Sequence, residues 1–383
     1  MKKVSILGST GSIGISSLDV IRKHPESFKV VGLSASSSYE LLAKQANEFK
    51  PEVIALVKKE YSAKLESLLT YKPKIFYENA GIAELAANSD ANIVINAVVG
   101  AAGLLPTLAT LNAGIDVALA NKESLVIGGA LVTELAKKKG ASIIPVDSEH
   151  NAIFQCLKGN KERSLRRIIL TASGGPLLNY PLDKFCDVTA EQALNHPTWG
   201  MGKKISIDSA TMVNKGLEIM EAKWLFDIPV DMVDVVIHPQ SIVHGMAEFS
   251  DGSCLSVMGP TSMTVPIIYS LYYPNDAPTP PAGVLDFNKS FSLDFLPPDI
   301  KRFPALEIAR TVAKAGGTAP AVFNASNEVA VAAFLKGKIK FTDIIETIKK
   351  VLDKQNNLHK LDIQVLLDAD RNARELAEKL CNN

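Results

Sequence analysis

The chain has 383 residues, of which 47% are hydrophobic and 21% are charged, and its 41 basic residues balance its 41 acidic residues. This length favours two or three domains, and the composition is that of an ordinary soluble globular protein. A net charge of zero gives no reason to expect a nucleic acid or an anionic membrane as partner.

The cysteines and the N-terminus indicate where such a protein would reside. Cys156, Cys186, Cys254 and Cys381 are far apart in the sequence and form no C-x-x-C pair, which is typical of reduced thiols in the cytosol. No apolar run approaches transmembrane length, and the first strand begins by Val4. We therefore expect a cytoplasmic protein with no membrane span and no signal or transit peptide.

The first 150 residues alternate strand and helix patterns. Helical patterns cover 13–23, 39–50 and 124–139. Short apolar, β-branched runs predict buried parallel strands; these runs are "VSILG", "FKVVGLS", "EVIALV", "NIVINAV", "DVALA" and "SIIPV". Alternation of this kind predicts a doubly wound α/β domain.

The pattern changes beyond residue 150. There "RRIILTAS" and "KKISID" precede a helix predicted at about 210–226, and "IVHGMAEFSDGSCLSVMG" predicts a hairpin that turns at Asp251-Gly252. A proline-rich stretch at 273–303 indicates a linker, and the sequence from Ala305 onward is helix-rich. We expect a central α/β domain followed by a small helical bundle.

The stretch "ILGSTGSIG" places Gly8, Gly11 and Gly14 between the first strand and a helix opening near Ser12. Glycines let a backbone approach phosphates, and a helix N-terminus supplies N–H groups, so this turn predicts a dinucleotide site; a plain strand-to-helix turn is the alternative. The second strand runs into Ser36–Ser38 with no acid before Glu40. Neutral hydroxyls tolerate a 2′-phosphate, which favours NADP(H) over NAD(H), although serine runs are also ordinary turn chemistry.

An acidic motif follows the last of these strands. In "IIPVDSEHN", Asp147 and Glu149 would project to one side of an extended backbone. A third carboxylate, Glu218, lies one turn after Asn214 on a helix predicted to begin near Ser209, with Asp208 or Ser209 as its cap. Three oxygen donors without cysteine favour Mg²⁺ or Mn²⁺ over Zn²⁺, and solvated acids are the alternative.

Three further loops carry polar residues. "TASGGP" after a strand resembles an anion-binding turn, or is a simple turn. "NHPTWGMG" places His196, Trp199 and Met201 among Pro and Gly, which predicts either a lid over a ligand or a loop anchored by a buried tryptophan. In "ANKESL", Lys122 follows a strand, where it faces a substrate anion or carries ordinary surface charge.

Taken in order, these motifs closely resemble those of the 1-deoxy-D-xylulose 5-phosphate reductoisomerase family over nearly the whole chain. The matching blocks are "GSTGSIG", "NKESLV", "PVDSEHNAIFQ", "TASGGP", "HPTWGMGKKISIDSATMVNKGLE" and "HPQSIVHGM". The resemblance implies an NADP-dependent oxidoreductase that isomerises and reduces 1-deoxy-D-xylulose 5-phosphate to 2-C-methyl-D-erythritol 4-phosphate, in the non-mevalonate isoprenoid precursor pathway. It also implies NADPH and Mg²⁺ or Mn²⁺, with Co²⁺ as a further choice, and a homodimer.

The resemblance also divides the chain and implies a role for individual residues. The domains are an NADPH-binding Rossmann-like domain (1–147), a central catalytic and dimerisation domain with a lid loop (148–272), the proline-rich linker (273–303) and a C-terminal α-helical domain (304–383). The implied cofactor contacts are Gly8, Thr10, Gly11, Ser12, Ile13, Ser36, Ser37, Ser38, Asn121, Glu123 and Gly202. The implied metal ligands are Asp147, Glu149 and Glu218. The implied substrate contacts are Lys122, Ser148, Glu149, Ser173, His196, Ser209, Asn214, Lys215 and Glu218. The catalytic set is Lys122, Asp147, Glu149, His196 and Glu218, and Trp199 and Met201 belong to the lid.

One departure from the family pattern concerns the cofactor. Many members carry Gly-Lys-Asn where this chain has Ser36-Ser37-Ser38, so the strength of 2′-phosphate binding is open. Two other functions remain as rivals: a simple NADP-dependent dehydrogenase on the same scaffold, and a non-catalytic nucleotide sensor. A requirement for both metal and substrate separates the family reaction from both.

Overall fold

Two units of the chain each build their own sheet and their own hydrophobic core. The structure is a computed structural model that describes residues 1–88, 90–160 and 162–382. Unit 1 consists of Met1–Ser124, Val132–Asn151 and Ser262–Val284, and unit 2 consists of Leu125–Leu131, Ala152–Thr261 and Leu285–Asn383. This division rests on compactness, and the four domain ranges given above remain a prediction.

The strands and helices follow the chain in this order. The strands are β1 (Lys2–Leu7), β2 (Phe28–Ala35), β3 (Val53–Leu56), β4 (Lys74–Tyr77), β5 (Ile93–Asn96), β6 (Asp116–Leu119), β7 (Ile143–Pro145), β8 (Leu165–Ala172), β9 (Val233–Ile237), β10 (Val243–Phe249) and β11 (Cys254–Met258). The helices are α1 (Ser12–Lys23), α2 (Tyr39–Phe49), α3 (Ser62–Leu68), α4 (Glu78–Asn88), α5 (Leu104–Asn112), α6 (Lys122–Lys139), α7 (Ser148–Leu157), α8 (Ala190–Leu194), α9 (Lys203–Ala210), α10 (Val213–Leu225), α11 (Thr264–Tyr272), α12 (Ala305–Ala315), α13 (Ala319–Leu335), α14 (Asp343–Lys354) and α15 (Ile363–Asn382). Within the described ranges, no helix has the length and the apolar composition needed to cross a membrane.

Unit 1 contains a parallel sheet in the order β4-β3-β2-β1-β5-β6-β7. The chain builds outward from β1 to β4 and then crosses to β5 on the other side of β1, which creates a topological switch point beside β1. The predicted doubly wound α/β domain is therefore confirmed. Sequence patterns missed β4, because "KIFY" is short and only half-buried at the sheet edge.

The core of unit 1 joins segments that are distant in sequence. Val4 and Ile6 of β1 are fully buried in one cluster with Ile267, Ile268 and Leu271 of α11. The ammonium group of Lys2 donates to the carbonyl oxygens of Leu271 at 3.0 Å and Tyr273 at 2.9 Å. The segment around α11 thus completes the packing of the N-terminal sheet.

Unit 2 contains a mixed sheet in the order β11-β10-β8-β9, in which β8 and β9 are parallel and β10 is antiparallel to both of its neighbours. The predicted hairpin is confirmed as β10 and β11, with Gly252 of its turn at φ +82°. The predicted helix-rich C-terminus is present as α12 to α15. Phe323 of α13 is fully buried in the same cluster as Leu170 of β8 and Leu217 of α10, so the C-terminal helices share the core of the central sheet.

The prediction for 203–213 was wrong in one respect. "KKISID" belongs to α9, and the next helix begins at Val213 rather than near Ser209. Met212, at φ +61°, interrupts the two helices in the left-handed conformation. Asp208 is therefore not an N-cap: it is buried, and its carboxylate accepts hydrogen bonds from Lys204 at 2.8 Å and from Asn327 at 2.9 Å.

Candidate active site

The glycine turn lies at the end of β1, beside the switch point of the unit 1 sheet. Gly8 has φ +77°, and a Cβ there would lie 2.7 Å from the carbonyl oxygen of Ala97. A Cβ on Gly14 would lie 2.4 Å from the Cα of Ser9, so α1 approaches the turn too closely for any side chain. Gly11 is the N-cap of α1 and offers no side chain to its first N–H groups. This backbone cradle fits the diphosphate of a dinucleotide.

Two polar side chains, those of Ser34 and Gln45, hold that turn in place. Ser34 accepts a hydrogen bond from the backbone N–H of Gly8 at 3.1 Å. The side chain of Gln45 accepts a hydrogen bond from the hydroxyl of Ser9 at 2.7 Å and donates one to the backbone carbonyl of Ser9 at 2.9 Å. The sequence analysis missed Gln45, although its place on the buried face of α2, beside Leu42 and Ala46, is a detectable signal because buried amides need partners.

The serine run follows β2 as predicted and is open to solvent. Ser36, Ser37 and Ser38 are all exposed, and within the described residues none of their hydroxyls makes a hydrogen bond. Ser38 is the N-cap of α2, yet its side chain does not cap the helix. Three hydroxyls are thus available to a ligand at this strand end.

A buried ion pair marks the adjacent carboxyl ends of β6 and β7. Lys122 begins α6 directly after β6, Asp147 follows β7, and their side chains meet at 2.5 Å with only 7% and 9% exposure. The extended geometry expected for Asp147 and Glu149 was wrong: α7 begins at Ser148, and Asp147 accepts a 3.3 Å hydrogen bond from the N–H of Glu149. The hydroxyl of Ser148 donates to the carboxylate of Glu149 at 2.5 Å.

Asn121 has a structural role that the sequence did not indicate. Its side chain caps α6 by accepting from the N–H of Ser124 at 3.0 Å. Its amide group donates to the carbonyls of Val98 at 2.7 Å and Gly100 at 2.9 Å and to the carboxylate of Glu123 at 3.0 Å. These bonds fix the start of the helix that carries Lys122, while cofactor contacts by Asn121 and Glu123 remain a prediction.

In unit 2, Ser173 and His196 form a hydrogen-bonded pair after β8. The two side chains meet at 2.9 Å, and the Nδ1 atom of His196 accepts from the N–H groups of Thr198 at 3.2 Å and Trp199 at 3.0 Å. Because Nδ1 accepts, the ring is neutral and its Nε2–H donates to Ser173. Burial lowers the pKa of His196, which favours the same neutral form. The hydroxyl of Ser173 also accepts from the N–H of Gly175 at 3.1 Å, which leaves its own proton for a ligand.

The "TASGGP" turn packs directly against α9. Gly174 and Gly175 have φ +84° and +67°, and a Cβ on Gly175 would lie 2.7 Å from the carbonyl oxygen of Ser209. Glycine is therefore required for the turn to approach this backbone. The structure thus brings the Ser173 turn and Ser209 together, as the implied substrate group requires.

The start of α10 carries a second buried charge cluster. The amide of Asn214 donates to Glu218 at 2.5 Å, and Lys215 forms an ion pair with the other carboxylate oxygen of Glu218. Lys215 and Glu218 are almost fully buried. The prediction that Glu218 lies one helical turn after Asn214 is confirmed.

The predicted lid residues lie in an irregular segment between α8 and α9. Trp199 and Met201 are half-buried and Gly202, the N-cap of α9, is exposed. The ring of Trp199 lies 6.5 Å from that of His244, centroid to centroid. Their roles as lid and cofactor contacts remain predictions.

The donors predicted for a metal are all oxygens. Asp147 and Glu149 belong to unit 1 and Glu218 belongs to unit 2. Carboxylates with hydroxyl and amide neighbours suit Mg²⁺ or Mn²⁺, because these cations prefer hard oxygen ligands. The residues present therefore fit such an ion.

Three sequence profiles match the chain. They are described as 1-deoxy-D-xylulose 5-phosphate reductoisomerase (residues 4–129), its C-terminal domain (143–226) and the DXP reductoisomerase C-terminal domain (258–376). Curated 1-deoxy-D-xylulose 5-phosphate reductoisomerases from Geotalea daltonii and Chlorobaculum tepidum are each 49% identical to this chain, over 99% of it and over 99% and 100% of their own lengths.

Solved structures agree with these sequence matches. The reductoisomerase of Zymomonas mobilis in complex with NADPH is 41% identical, with a TM-score of 0.92, over 100% of this chain and 99% of that one. A DOX-P reductoisomerase in complex with NADPH, fosmidomycin and magnesium is 39% identical, with a TM-score of 0.92, over 100% of this chain and 98% of that one.

Proposed function

This chain belongs to the 1-deoxy-D-xylulose 5-phosphate reductoisomerase family, and we propose that it converts 1-deoxy-D-xylulose 5-phosphate to 2-C-methyl-D-erythritol 4-phosphate with NADPH and a divalent cation. It is an NADP-dependent oxidoreductase. The observation that carries the proposal is the buried Lys122–Asp147 pair, followed by Ser148 and Glu149, at the edge of the sheet that also holds the glycine cradle. In open α/β sheets this edge is where ligands bind.

We assign the cation to Asp147, Glu149 and Glu218. A bound Mg²⁺ supplies Lewis acidity at the substrate carbonyl, and NADPH supplies the hydride. Lys122 balances the charge of Asp147 in a site that excludes most water, which strengthens electrostatic interactions there. Glu149, already bonded to the hydroxyl of Ser148, is our candidate for moving protons between substrate hydroxyls. Mn²⁺ and Co²⁺ are the alternative cations.

The substrate phosphate is assigned to Ser173, Ser209, Asn214 and Lys215. Two donors occupy both acceptor positions of the Ser173 hydroxyl, so its own proton is available to a ligand oxygen. The hydroxyl of Ser209 makes no hydrogen bond within the described ranges. A phosphate clamp remote from the reacting carbons contributes binding energy that orients the substrate.

NADPH oxidation, followed by nicotinamide absorbance, tests the proposal. Purified protein is treated with a chelator, desalted and mixed with NADPH and 1-deoxy-D-xylulose 5-phosphate, with and without Mg²⁺ or Mn²⁺. We expect oxidation only when substrate and cation are both present, with 2-C-methyl-D-erythritol 4-phosphate as product. We also propose that fosmidomycin, which a solved relative binds, inhibits the reaction. Oxidation without the cation would favour a simple dehydrogenase, and NADPH binding without any oxidation would favour a sensor.

We further propose a cytoplasmic homodimer. The four cysteines are free thiols, which suits a reducing compartment. Sedimentation velocity at micromolar concentration tests the assembly: a species of twice the chain mass supports the dimer, and a species of the chain mass contradicts it.

A further inference from the structure

The 2′-phosphate of NADPH is negatively charged, and the serine run supplies no cation to balance that charge. This inference rests on NADPH as the cofactor of the proposed function. In dinucleotide-binding folds the end of the second strand lies beside the adenosine ribose, and a basic residue nearby accommodates the 2′-phosphate. Here that strand end carries only the hydroxyls of Ser36, Ser37 and Ser38.

The neighbouring strand brings two lysines to this place. Strands β2 and β3 are paired in parallel with Ala35 opposite Leu56. The pairing continues past both strands: the N–H of Val57 donates to the carbonyl of Ala35 at 3.1 Å, and the N–H of Lys58 donates to the carbonyl of Ser36 at 2.9 Å. Lys58 and then Lys59 therefore leave the sheet directly beside the serine run.

The ammonium groups of Lys58 and Lys59 are available. Both residues are exposed, and across the described ranges neither ammonium makes a hydrogen bond or an ion pair. Lys29, at the opposite end of β2, is by contrast paired with Glu52 at 3.1 Å. A free ammonium at this edge suits a phosphate, because charge-assisted hydrogen bonds are stronger than neutral ones.

The surrounding charges leave a net positive site. Lys64 lies 5.8 Å from the ring of Tyr39 and 5.7 Å from that of Tyr61, and these rings stack at 5.1 Å. Two acidic residues lie in the same segments. Glu40, in the first turn of α2, accepts a hydrogen bond from the hydroxyl of Tyr39, and Glu60 follows Lys59. The stacked rings join the start of α2, next to the serines, to the turn that carries Lys59 and Tyr61.

We propose that Lys58 and Lys59 bind the 2′-phosphate of NADPH together with the hydroxyls of Ser36–Ser38, and so set the preference of this chain for NADPH over NADH. The two lysines take the place of the lysine that many family members carry within Gly-Lys-Asn. The positive charge is supplied by residues that follow the third strand rather than by residues that follow the second.

Binding measurements on the chain without substrate test this proposal. Dissociation constants for NADPH and NADH are measured by nicotinamide fluorescence, and those for 2′,5′-ADP and 5′-AMP by competition. We expect Lys58→Ala/Lys59→Ala to weaken NADPH and 2′,5′-ADP by about ten-fold to a hundred-fold, and to change NADH and 5′-AMP by less than about two-fold. Lys29→Ala is the matched control, since it removes an exposed lysine from the other end of β2, and should leave all four constants unchanged.

A rescue variant separates a local charge effect from damage to the fold. Ser37→Lys in the double-alanine background should restore most of the NADPH affinity. Equal weakening of NADPH and NADH, no weakening of NADPH, or failure of the rescue would each overturn the inference. The wild-type assay with 1-deoxy-D-xylulose 5-phosphate decides the proposed function separately, because that reaction can proceed whichever residues hold the 2′-phosphate.

Discussion

At the scale of single residues, His196 sets the direction of a short hydrogen-bond chain. Its Nδ1 accepts two backbone N–H groups while Nε2–H donates to Ser173. Protonation would place a hydrogen on Nδ1, which could then no longer accept from those two N–H groups. Protonation therefore disfavours the loop conformation that carries Trp199. The folded pKa of His196 lies below the unfolded value of about 6.5 because of burial.

The pH dependence follows from that sign. The neutral ring is favoured by the fold, so its contribution to stability is present above about pH 6.5 and is lost as the pH falls through the lowered pKa. We expect the KM for 1-deoxy-D-xylulose 5-phosphate to rise, and the unfolding midpoint in urea to fall, on acidification below about pH 6.5. In His196→Asn, which does not titrate, this part of the pH dependence should be absent. An identical pH profile in both proteins would contradict the assignment.

Glu218 carries a buried carboxylate near the start of α10. Glu218→Gln keeps the size of the side chain but removes one of the three carboxylates proposed for the cation and the partner of Lys215. We expect turnover to fall by at least about a thousand-fold, while NADPH affinity stays near the wild-type value. The same change at exposed Glu307 on α12 should leave the rate unaffected. A Glu218→Gln rate near that of wild type at saturating Mg²⁺ would remove Glu218 from the site.

At the scale of elements, the contact of α1 with the glycine turn depends on the missing side chain at Gly14. Gly14→Ala would place a methyl group 2.4 Å from the Cα of Ser9 and 2.5 Å from the carbonyl oxygen of Gly8, so backbone must move. We expect a loss of about 1–3 kcal/mol in the free energy of unfolding and weaker binding of NADPH. Ile15→Ala, at an exposed neighbouring position on α1, is the control for a simple side-chain change. Unchanged stability and NADPH affinity in Gly14→Ala would show that the cradle is adaptable.

The segment between α8 and α9 is the element proposed to close over substrate. Trp199→Ala removes the largest apolar surface of that segment, and a lid needs an apolar cover to exclude water. We expect a higher KM for the sugar phosphate, and an unchanged dissociation constant for NADPH. Phe287→Ala, which truncates an exposed aromatic side chain in unit 2, serves as the control. If KM and kcat of Trp199→Ala both equal those of wild type, the segment is not a lid.

Elements with a single strong pattern were predictable from the sequence, and those shaped by distant contacts were not. The continuous apolar runs of β1, β2 and β5 reveal buried parallel strands because only such strands are apolar on both faces. The start of α10 was misplaced because Asp208 and Ser209 look like caps, while Asp208 instead meets Asn327 of α13, more than a hundred residues later. Site residue types were readable from their motifs, but the capping role of Asn121 and the clamp of Gln45 depend on tertiary partners.

At the scale of the whole molecule, each of the two units has its own hydrophobic core. NADPH stabilises the unit that holds its diphosphate, by about 2.7 kcal/mol at a concentration a hundred times its dissociation constant. Hydrogen exchange with and without NADPH measures this. We expect slower exchange in β1, α1 and the serine run, with the β10–β11 hairpin as internal control. Protection confined to the hairpin would place the cofactor in unit 2.

The contribution of α11 to unit 1 has a consequence for biosynthesis. The N-terminal sheet buries Val4 and Ile6 in one cluster with Ile267 and Leu271, which the ribosome adds some 260 residues later. A nascent chain that has completed β7 still exposes this apolar surface and needs protection until α11 emerges. For the same reason, a fragment that ends after β7 exposes this apolar surface to solvent. Helix α11, which is synthesised late, is thus required to complete the hydrophobic core of the N-terminal sheet.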